Sequence, residues 1–178
     1  MSSNPRHLRD WIIALYAALQ EAEPHRAQAI RKLAGPQISR MVLDDDRVTV
    51  RFDQDMLRVT RLRASASLKS PNGSTDRQTV TALLLGYLEI SEAISHDFIR
   101  LRGTADEVMT ICAIIEILVD ASTRIPALQG LAAAFLETTG HGGLRADRRT
   151  RIAQSRFLAE KERDLLRREG LLKAPGSL

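Results

Sequence analysis

The residue types that catalyse reactions or bind metals are present in this chain, but they are not spaced for either task. No histidine lies at a metal-ligand spacing from another histidine or from the single cysteine; the four are His7, His25, His96 and His141. Ser95, His96 and Asp97 have the residue types of a catalytic triad, yet three consecutive residues cannot face one another as that mechanism requires. The sequence therefore predicts neither a catalytic centre nor a metal site.

Two polar clusters favour turns over ligand sites. The aspartates of residues 44–55 lack the spacing and the closing glutamate of a calcium loop, so solvated turns are the better interpretation. The glycines of residues 140–143 lack the motif of a phosphate-binding loop. We expect a protein that is not an enzyme and carries no cofactor.

The clearest chemical pattern in the chain is apolar. Helical spacing places one set on a single face of a helix that begins near Asp76: Val80, Leu83, Leu84, Tyr87 and Ile90. A second set follows Thr104, and its members are Val108, Ile111, Ile115 and Leu118. Further apolar residues widen this second stripe, so we expect its helix to be buried on nearly all sides; they are Met109, Cys112, Ile114 and Ile117.

Other elements must cover these two helices. Helical spacing predicts an N-terminal helix over Arg6–Ala22, with Trp11 as its packing anchor, and a second helix over His25–Ala34. A short helical segment or turn is expected from Ile38 to Met41. Alternation of apolar and polar residues predicts strands over 48–52, 57–60, 64–68 and 98–102, with turns at 44–46, 53–55 and 70–73.

The boundaries of the second apolar helix have strong local signals. Thr104 and Glu107 have the spacing of a capping box, which predicts the start of this helix. Pro126 predicts a break before a final apolar segment over 128–136. Asp76, or Thr75 beside it, is expected to cap the first apolar helix. The pattern predicts an α+β domain over residues 1–140, in which helices cover a small and mostly antiparallel sheet.

The rest of the chain, residues 141–178, is predicted to be a basic helical tail. It holds ten Lys and Arg residues against five Asp and Glu, whereas residues 1–140 hold sixteen against seventeen. Five arginines are candidates for contact with a partner or with an anionic surface: Arg145, Arg148, Arg149, Arg151 and Arg156. Nucleic acid is the less favoured partner, because Phe157 is the tail's only aromatic residue for base stacking. A homodimer contact and peripheral contact with a membrane remain open.

The composition also bears on the compartment. The single cysteine, Cys112, lies in an apolar helical run and is expected to be a buried thiol, which favours a reducing compartment. The sequence contains neither a secretory leader pattern nor an uncharged apolar stretch of about 18 residues. We expect a cytoplasmic protein without a transmembrane segment.

Two stretches carry a resemblance to a known family. They are VTALLLGYLEISEAI and DFIRLRGTADEVMTI, a helix with a leucine-rich centre and glycine followed by a short strand that ends in glycine before a helix. From Val48 to about Leu118 the chain resembles the sterol-carrier-protein family, whose small α+β domains hold lipids or other apolar molecules between a sheet and its helices. The resemblance implies a sterol-carrier-like fold and binding of a lipid or isoprenoid-like molecule.

The function that we expect is therefore non-enzymatic binding of an apolar molecule in a pocket between sheet and helices. Tyr87 alone among the candidate lining residues offers a hydroxyl to a polar end of the ligand. The lining that we predict is Leu83, Leu84, Tyr87, Leu88, Ile99, Ile111, Ile114, Ile115 and Leu118. The alternative is a protein-interaction or assembly module with a closed core, which uses its basic C-terminal helix for contact with a partner or with a second copy.

Overall fold

The computed structural model describes residue 5 and residues 7–54, 56–63 and 71–141. Within these residues the chain forms one open sheet and a layer of helices, which confirms the α+β class. The helices are α1 (Leu8–Ala22), α2 (Pro24–Ala34), α3 (Arg77–Leu85), α4 (Ile90–Ser95), α5 (Ala105–Ser122) and α6 (Pro126–Thr138). The strands are β1 (Ser39–Leu43), β2 (Asp46–Asp53), β3 (Met56–Leu62), β4 (Gly73–Thr75) and β5 (Arg100–Leu101). The five tail arginines and the predicted strand over 64–68 lie outside the described residues.

The sheet has the strand order β3-β2-β1-β4-β5, and only the β1–β4 pair is parallel. Tight turns join β1 to β2 and β2 to β3, as the aspartate-rich segments predicted. The first residue of each turn has a positive φ, 51° at Asp44 and 53° at Gln54. Aspartate tolerates this left-handed conformation better than most residues, which explains part of the turn preference at Asp44.

The predicted helical segment or turn from Ile38 to Met41 is wrong, because Ser39–Leu43 form the central strand β1. This strand pairs with β2 on one side and with β4 on the other. Hydrogen bonds to two neighbours decide its conformation, and a five-residue segment carries too little periodicity to show that in advance. Likewise, Gly73 belongs to β4 and not to the predicted turn, and the predicted strand from Phe98 to Arg102 is reduced to Arg100–Leu101.

The first apolar helix is shorter than its pattern indicates. Asp76 caps it, since its Oδ1 accepts from the Thr79 amide at 2.7 Å. The helix ends at Leu85, where Gly86 takes a left-handed conformation with φ 73°. The Gly86 amide donates to Leu83 O and the Tyr87 amide to Ala82 O, which is the Schellman pattern of helix termination. Tyr87 and Leu88 therefore lie beyond the helix and not on its apolar face.

The helices bury two hydrophobic clusters. One joins α1, α2, α5 and α6, and its buried residues are Leu19, Ala27, Ile30, Ala121, Ile125 and Leu128. The other joins α1, β1 and α6 through Trp11, Leu43 and Phe135. The rings of Trp11 and Phe135 meet edge to face with centroids 5.4 Å apart. Trp11 is thus a packing anchor, as predicted from the sequence.

Helix α5 is not buried on nearly all sides. The capping box at its start is confirmed, because the Glu107 amide donates to Thr104 Oγ1 and Glu107 accepts from the Thr104 amide. However, Ala121 is its only buried residue, Met109 is 69% exposed, and the thiol residue Cys112 is half-buried. The second half of α5 supplies its contacts to the four-helix cluster, through Ile114, Ile117, Leu118 and Ala121. Apolar composition alone does not show that few of the described elements cover the rest of α5.

Ion pairs hold α5 to α2. Arg26 of α2 contacts Asp120 of α5 at 2.5 Å, and Arg124 contacts both Asp120 at 2.7 Å and Glu23 at 3.2 Å. Arg26 also pairs with Glu23 at 2.7 Å, which closes a ring of four charged residues. The hydrogen bond from Arg124 lowers the pKa of the Asp120 carboxyl. Because Asp120 and Arg124 are exposed to solvent, we expect the contribution of the ring to weaken with salt.

Candidate apolar ligand site

The nine predicted lining residues separate into two groups. Three belong to the packed core: Leu84 packs against the Trp11–Phe135 cluster, and Ile114 and Leu118 pack into the four-helix cluster. These three side chains have packing partners within the fold, which the other six predicted lining residues do not have in either cluster. The physical reason is that α3 packs mainly on α6 and α5 mainly on α2, so the two helices do not form one continuous wall.

The other six predicted residues remain partly accessible. Tyr87 is exposed after the end of α3, and the remaining five are half-buried: Leu83, Leu88, Ile99, Ile111 and Ile115. Ile99 immediately precedes β5. Strand alternation places it on the same side as Leu101, two positions later. These residues are available for contact with something other than the core clusters.

A row of residues across the sheet marks where the described helices cover it incompletely. Val48, Met41, Gly73 and Leu101 are successive partners across β2, β1, β4 and β5, so their side chains lie on one side of the sheet. This is the side that faces the helices, because Val48 is fully buried and Leu43, two positions from Met41, packs against Trp11. Nevertheless, Met41 is 38% exposed where Val48 beside it is 0% exposed.

Gly73 adds to this opening because it has no side chain. A methyl group placed on Gly73 would meet only Leu101 Cδ2, at 3.9 Å. Sequence reasoning missed Met41, Gly73 and Leu101 as site residues. Gly73 follows Pro71-Asn72 and therefore had the signature of a turn, and the parallel partner that makes it a strand residue lies about thirty positions away.

Helix α5 carries a second apolar face that neither cluster uses. Residues of a helix advance by about 100° each, so this face lies beside the one that packs in the core. None of its members is buried: Val108, Ile111, Cys112, Ile115 and Val119. The helix starts next to β5, at the edge of the sheet, and its second half packs into the cluster that also contains Phe52 of β2. The strands between these two ends are β4 and β1.

Asp46 is a carboxylate whose pKa is shifted and whose role is structural. Asp46 Oδ2 accepts from the Leu8 amide at 2.9 Å, Oδ1 accepts from Arg61 Nε at 2.9 Å, and His7 Nδ1 lies 3.4 Å away. Burial raises the pKa of Asp46, but the Leu8 and Arg61 interactions outweigh burial and hold it below its ordinary value of 3.8. Asp46 thereby fixes the start of α1, whose own N-cap residue His7 makes no side-chain cap. The sequence interpretation of Asp46 as a solvated turn residue missed this role.

The remaining chemically capable residues are engaged separately. Ser95 Oγ donates to Glu92 O, Asp97 accepts from Arg100 at 2.9 Å, and the His96 ring stacks on Phe98. In the part of the chain that the structure describes, no group of three or more His, Cys, Asp or Glu residues is placed to hold a metal ion. Nor does any helix there have the length and apolar character to cross a membrane.

Comparison of the chain with protein-family models, with curated proteins and with solved structures gave no match. We therefore infer function from the geometry of the residues themselves.

Proposed function

We propose that this protein binds an apolar small molecule, such as an acyl or isoprenoid chain, between the helix-facing side of β1, β4 and β5 and the first half of α5. The observation that carries the proposal is the 38% exposure of Met41 beside fully buried Val48, in the middle of a sheet side that helices otherwise cover. The resemblance to sterol-carrier proteins over 48–118 supports the same function.

The chemistry of the surrounding residues suits such a ligand. Met41 and Leu101 on the sheet, and Ile111 and Ile115 on α5, are apolar and partly accessible. Each methylene group removed from water stabilises a complex by about 0.8 kcal/mol, so an acyl chain needs little polar recognition. Methionine adapts its shape to irregular ligands, which favours tolerance of several chains over strict selection of one. Tyr87, exposed after α3, is the candidate donor for a polar head group.

The test uses two methionines on opposite sides of the sheet. Met41 and Met56 receive the same change, Met41→Lys and Met56→Lys, in the full chain, and binding of a fluorescent C18 fatty acid is titrated. We expect Met41→Lys to weaken binding by about tenfold or more, because a lysine charge cannot be buried against an acyl chain without loss of hydration. Met56, which is 68% exposed on the other side, should tolerate lysine without effect.

Equal affinities of the two variants and the wild type would contradict the proposed position of the ligand. Native mass spectrometry and lipid extraction of the purified protein supply a second criterion. Absence of co-purified lipid, together with no thermal stabilisation by fatty acids or sterols, would contradict apolar ligand binding altogether.

A second candidate function is assembly through α5. Its unburied apolar face and the exposed residues Met109 and Val119 favour contact with another protein surface, including a second copy. Val119→Lys discriminates between the two functions. A shift from dimer to monomer in native mass spectrometry, with fatty acid binding unchanged, would favour assembly.

A further inference from the structure

The side of the sheet that faces away from the helices is rich in arginine. Strand alternation and register assign its residues. On β2, Arg47 and Arg51 lie on the side opposite Val48. Their neighbours on β1 and β3 include Arg40 and Arg58. Arg100 of β5 pairs with Ser74 and lies on the same side. The arginine face is defined here as Arg40, Arg47, Arg51, Arg58 and Arg100.

This face has more positive charge than its own carboxylates neutralise. Asp53 contacts Arg58 at 2.8 Å and Arg51 at 3.9 Å, and Asp97 contacts Arg100 at 2.9 Å. Arg40 and Arg47 have no carboxylate partner among the described residues. Arg51 and Arg58 are direct cross-strand partners with like charges, and they share the single negative charge of Asp53.

Charge is segregated between the two layers of the fold. The described part of the chain is nearly balanced overall, yet α5 in the helical layer carries four carboxylates and no Lys or Arg: Asp106, Glu107, Glu116 and Asp120. Among the described residues, the negative charge of α5 therefore lies in the layer opposite the arginine face. Such a separation orients a protein on a flat anionic surface before any contact forms.

The composition of the face distinguishes between anionic partners. Arginine binds phosphate through two parallel hydrogen bonds, so phosphate groups are the matching chemistry. Among the described strand residues of this face there is no aromatic ring on which a nucleobase could stack, and the exposed ring of Phe98, two positions before Arg100, already stacks on His96. Instead, Met56 is 68% exposed near the β2–β3 turn, beside Arg51 and Arg58. An apolar side chain among arginines suits the boundary between phospholipid head groups and acyl chains.

We propose that the arginine face docks on an anionic phospholipid bilayer, with its guanidinium groups on the lipid phosphates and Met56 at the acyl boundary. Each Lys or Arg close to an anionic leaflet strengthens binding by roughly fivefold. Binding is therefore expected to require negative lipid and to fall as ionic strength rises. The docking does not depend on the proposed apolar ligand, since it uses the opposite side of the sheet.

The experiment measures co-sedimentation of the full chain with vesicles of phosphatidylcholine, with and without phosphatidylserine. Arg51→Gln/Arg58→Gln removes two charges from side chains that are more than half exposed, so folding is preserved. We expect about 25-fold weaker binding to the charged vesicles. Asp53→Asn is expected to have the opposite effect, about fivefold tighter binding.

The matched control is Arg31→Gln/Lys32→Gln on α2, which removes the same charge from the helical layer and should leave vesicle binding near that of wild type. Three outcomes would overturn the proposal. The first is a control that weakens binding as much as the sheet variant does. The second is wild-type binding by Arg51→Gln/Arg58→Gln while neutral tail variants at Arg145 and Arg148 lose binding. The third is a nucleic acid duplex that binds more tightly than the vesicles and is the ligand that the sheet variant loses.

Discussion

Asp46 offers a sharp test of how the N-terminal helix is held. In Asp46→Ala, the Leu8 amide and the Arg61 guanidinium both lose their acceptor, while the side chain that they surround is only 9% exposed in the wild type. Hydrogen bonds to a charged group contribute about 1.5–3 kcal/mol each, but Arg61 is half exposed and regains water. We therefore expect a loss of about 2–4 kcal/mol in the free energy of unfolding.

The assay is urea unfolding followed by fluorescence of Trp11, the only tryptophan, which lies on α1 and is buried against Phe135. The control is Asp45→Ala, the adjacent exposed aspartate of the same turn, which should change stability by less than about 0.5 kcal/mol. A midpoint shift in Asp46→Ala no larger than that of Asp45→Ala would refute the role of Asp46.

The pH dependence follows from the lowered pKa of Asp46. A carboxyl whose folded pKa lies below its unfolded value stabilises the fold above the unfolded pKa, and that stabilisation is lost as pH falls through the folded pKa. The difference between wild type and Asp46→Ala should therefore be constant above about pH 5 and shrink below the ordinary pKa of 3.8. A difference that grows on acidification would contradict the assigned interactions.

Two other predictions concern the helices. Gly86→Ala should destabilise the fold by about 1–2 kcal/mol, since alanine is disfavoured at φ 73°, and thermal unfolding measures this; an unchanged midpoint would contradict the Schellman termination of α3. Ile114→Ala should lower the free energy of unfolding by about 2–4 kcal/mol, because Ile114 packs in a core cluster. Ile115 lies outside the core clusters, so Ile115→Ala should lower the free energy of unfolding by only about 1 kcal/mol. Ile115→Ala should instead weaken fatty acid binding. Equal destabilisation by the two alanines would place Ile115 in the core and remove it from the candidate site.

Local signals predicted local structure well. The capping box at Thr104 and the break before Pro126 fix both ends of α5 through interactions within a few residues, and both were read from the sequence. The helical period of α1 and the position of Trp11 were predictable for the same reason. By contrast, the strand at Ser39–Leu43 depends on partners elsewhere in the chain. The sequence also does not show whether Gly86 lies within a helix or ends it.

The candidate site was less predictable than the fold. Apolar periodicity indicates which residues need cover but not what covers them, and neighbouring helices pack on two of the predicted lining residues, Leu84 and Ile114. Met41 and Gly73 were overlooked because their importance arises from sheet register alone. The arginine face also depends on sheet register. Each contributing strand carries only one or two of its arginines, and they form one surface only when the strands are aligned.

The parallel pairing of β1 with β4 has a consequence for folding. Strands β1 to β3 form a local meander, whereas β4 and β5 are short and reach the sheet only by long-range pairing, which is slow to form and easily opened. The row from Met41 to Leu101 crosses the junction between these two parts. Amide hydrogen exchange in β4 and β5 should therefore be faster than in β2. A molecule bound across that junction would contact both parts of the sheet and would slow the opening of β4 and β5.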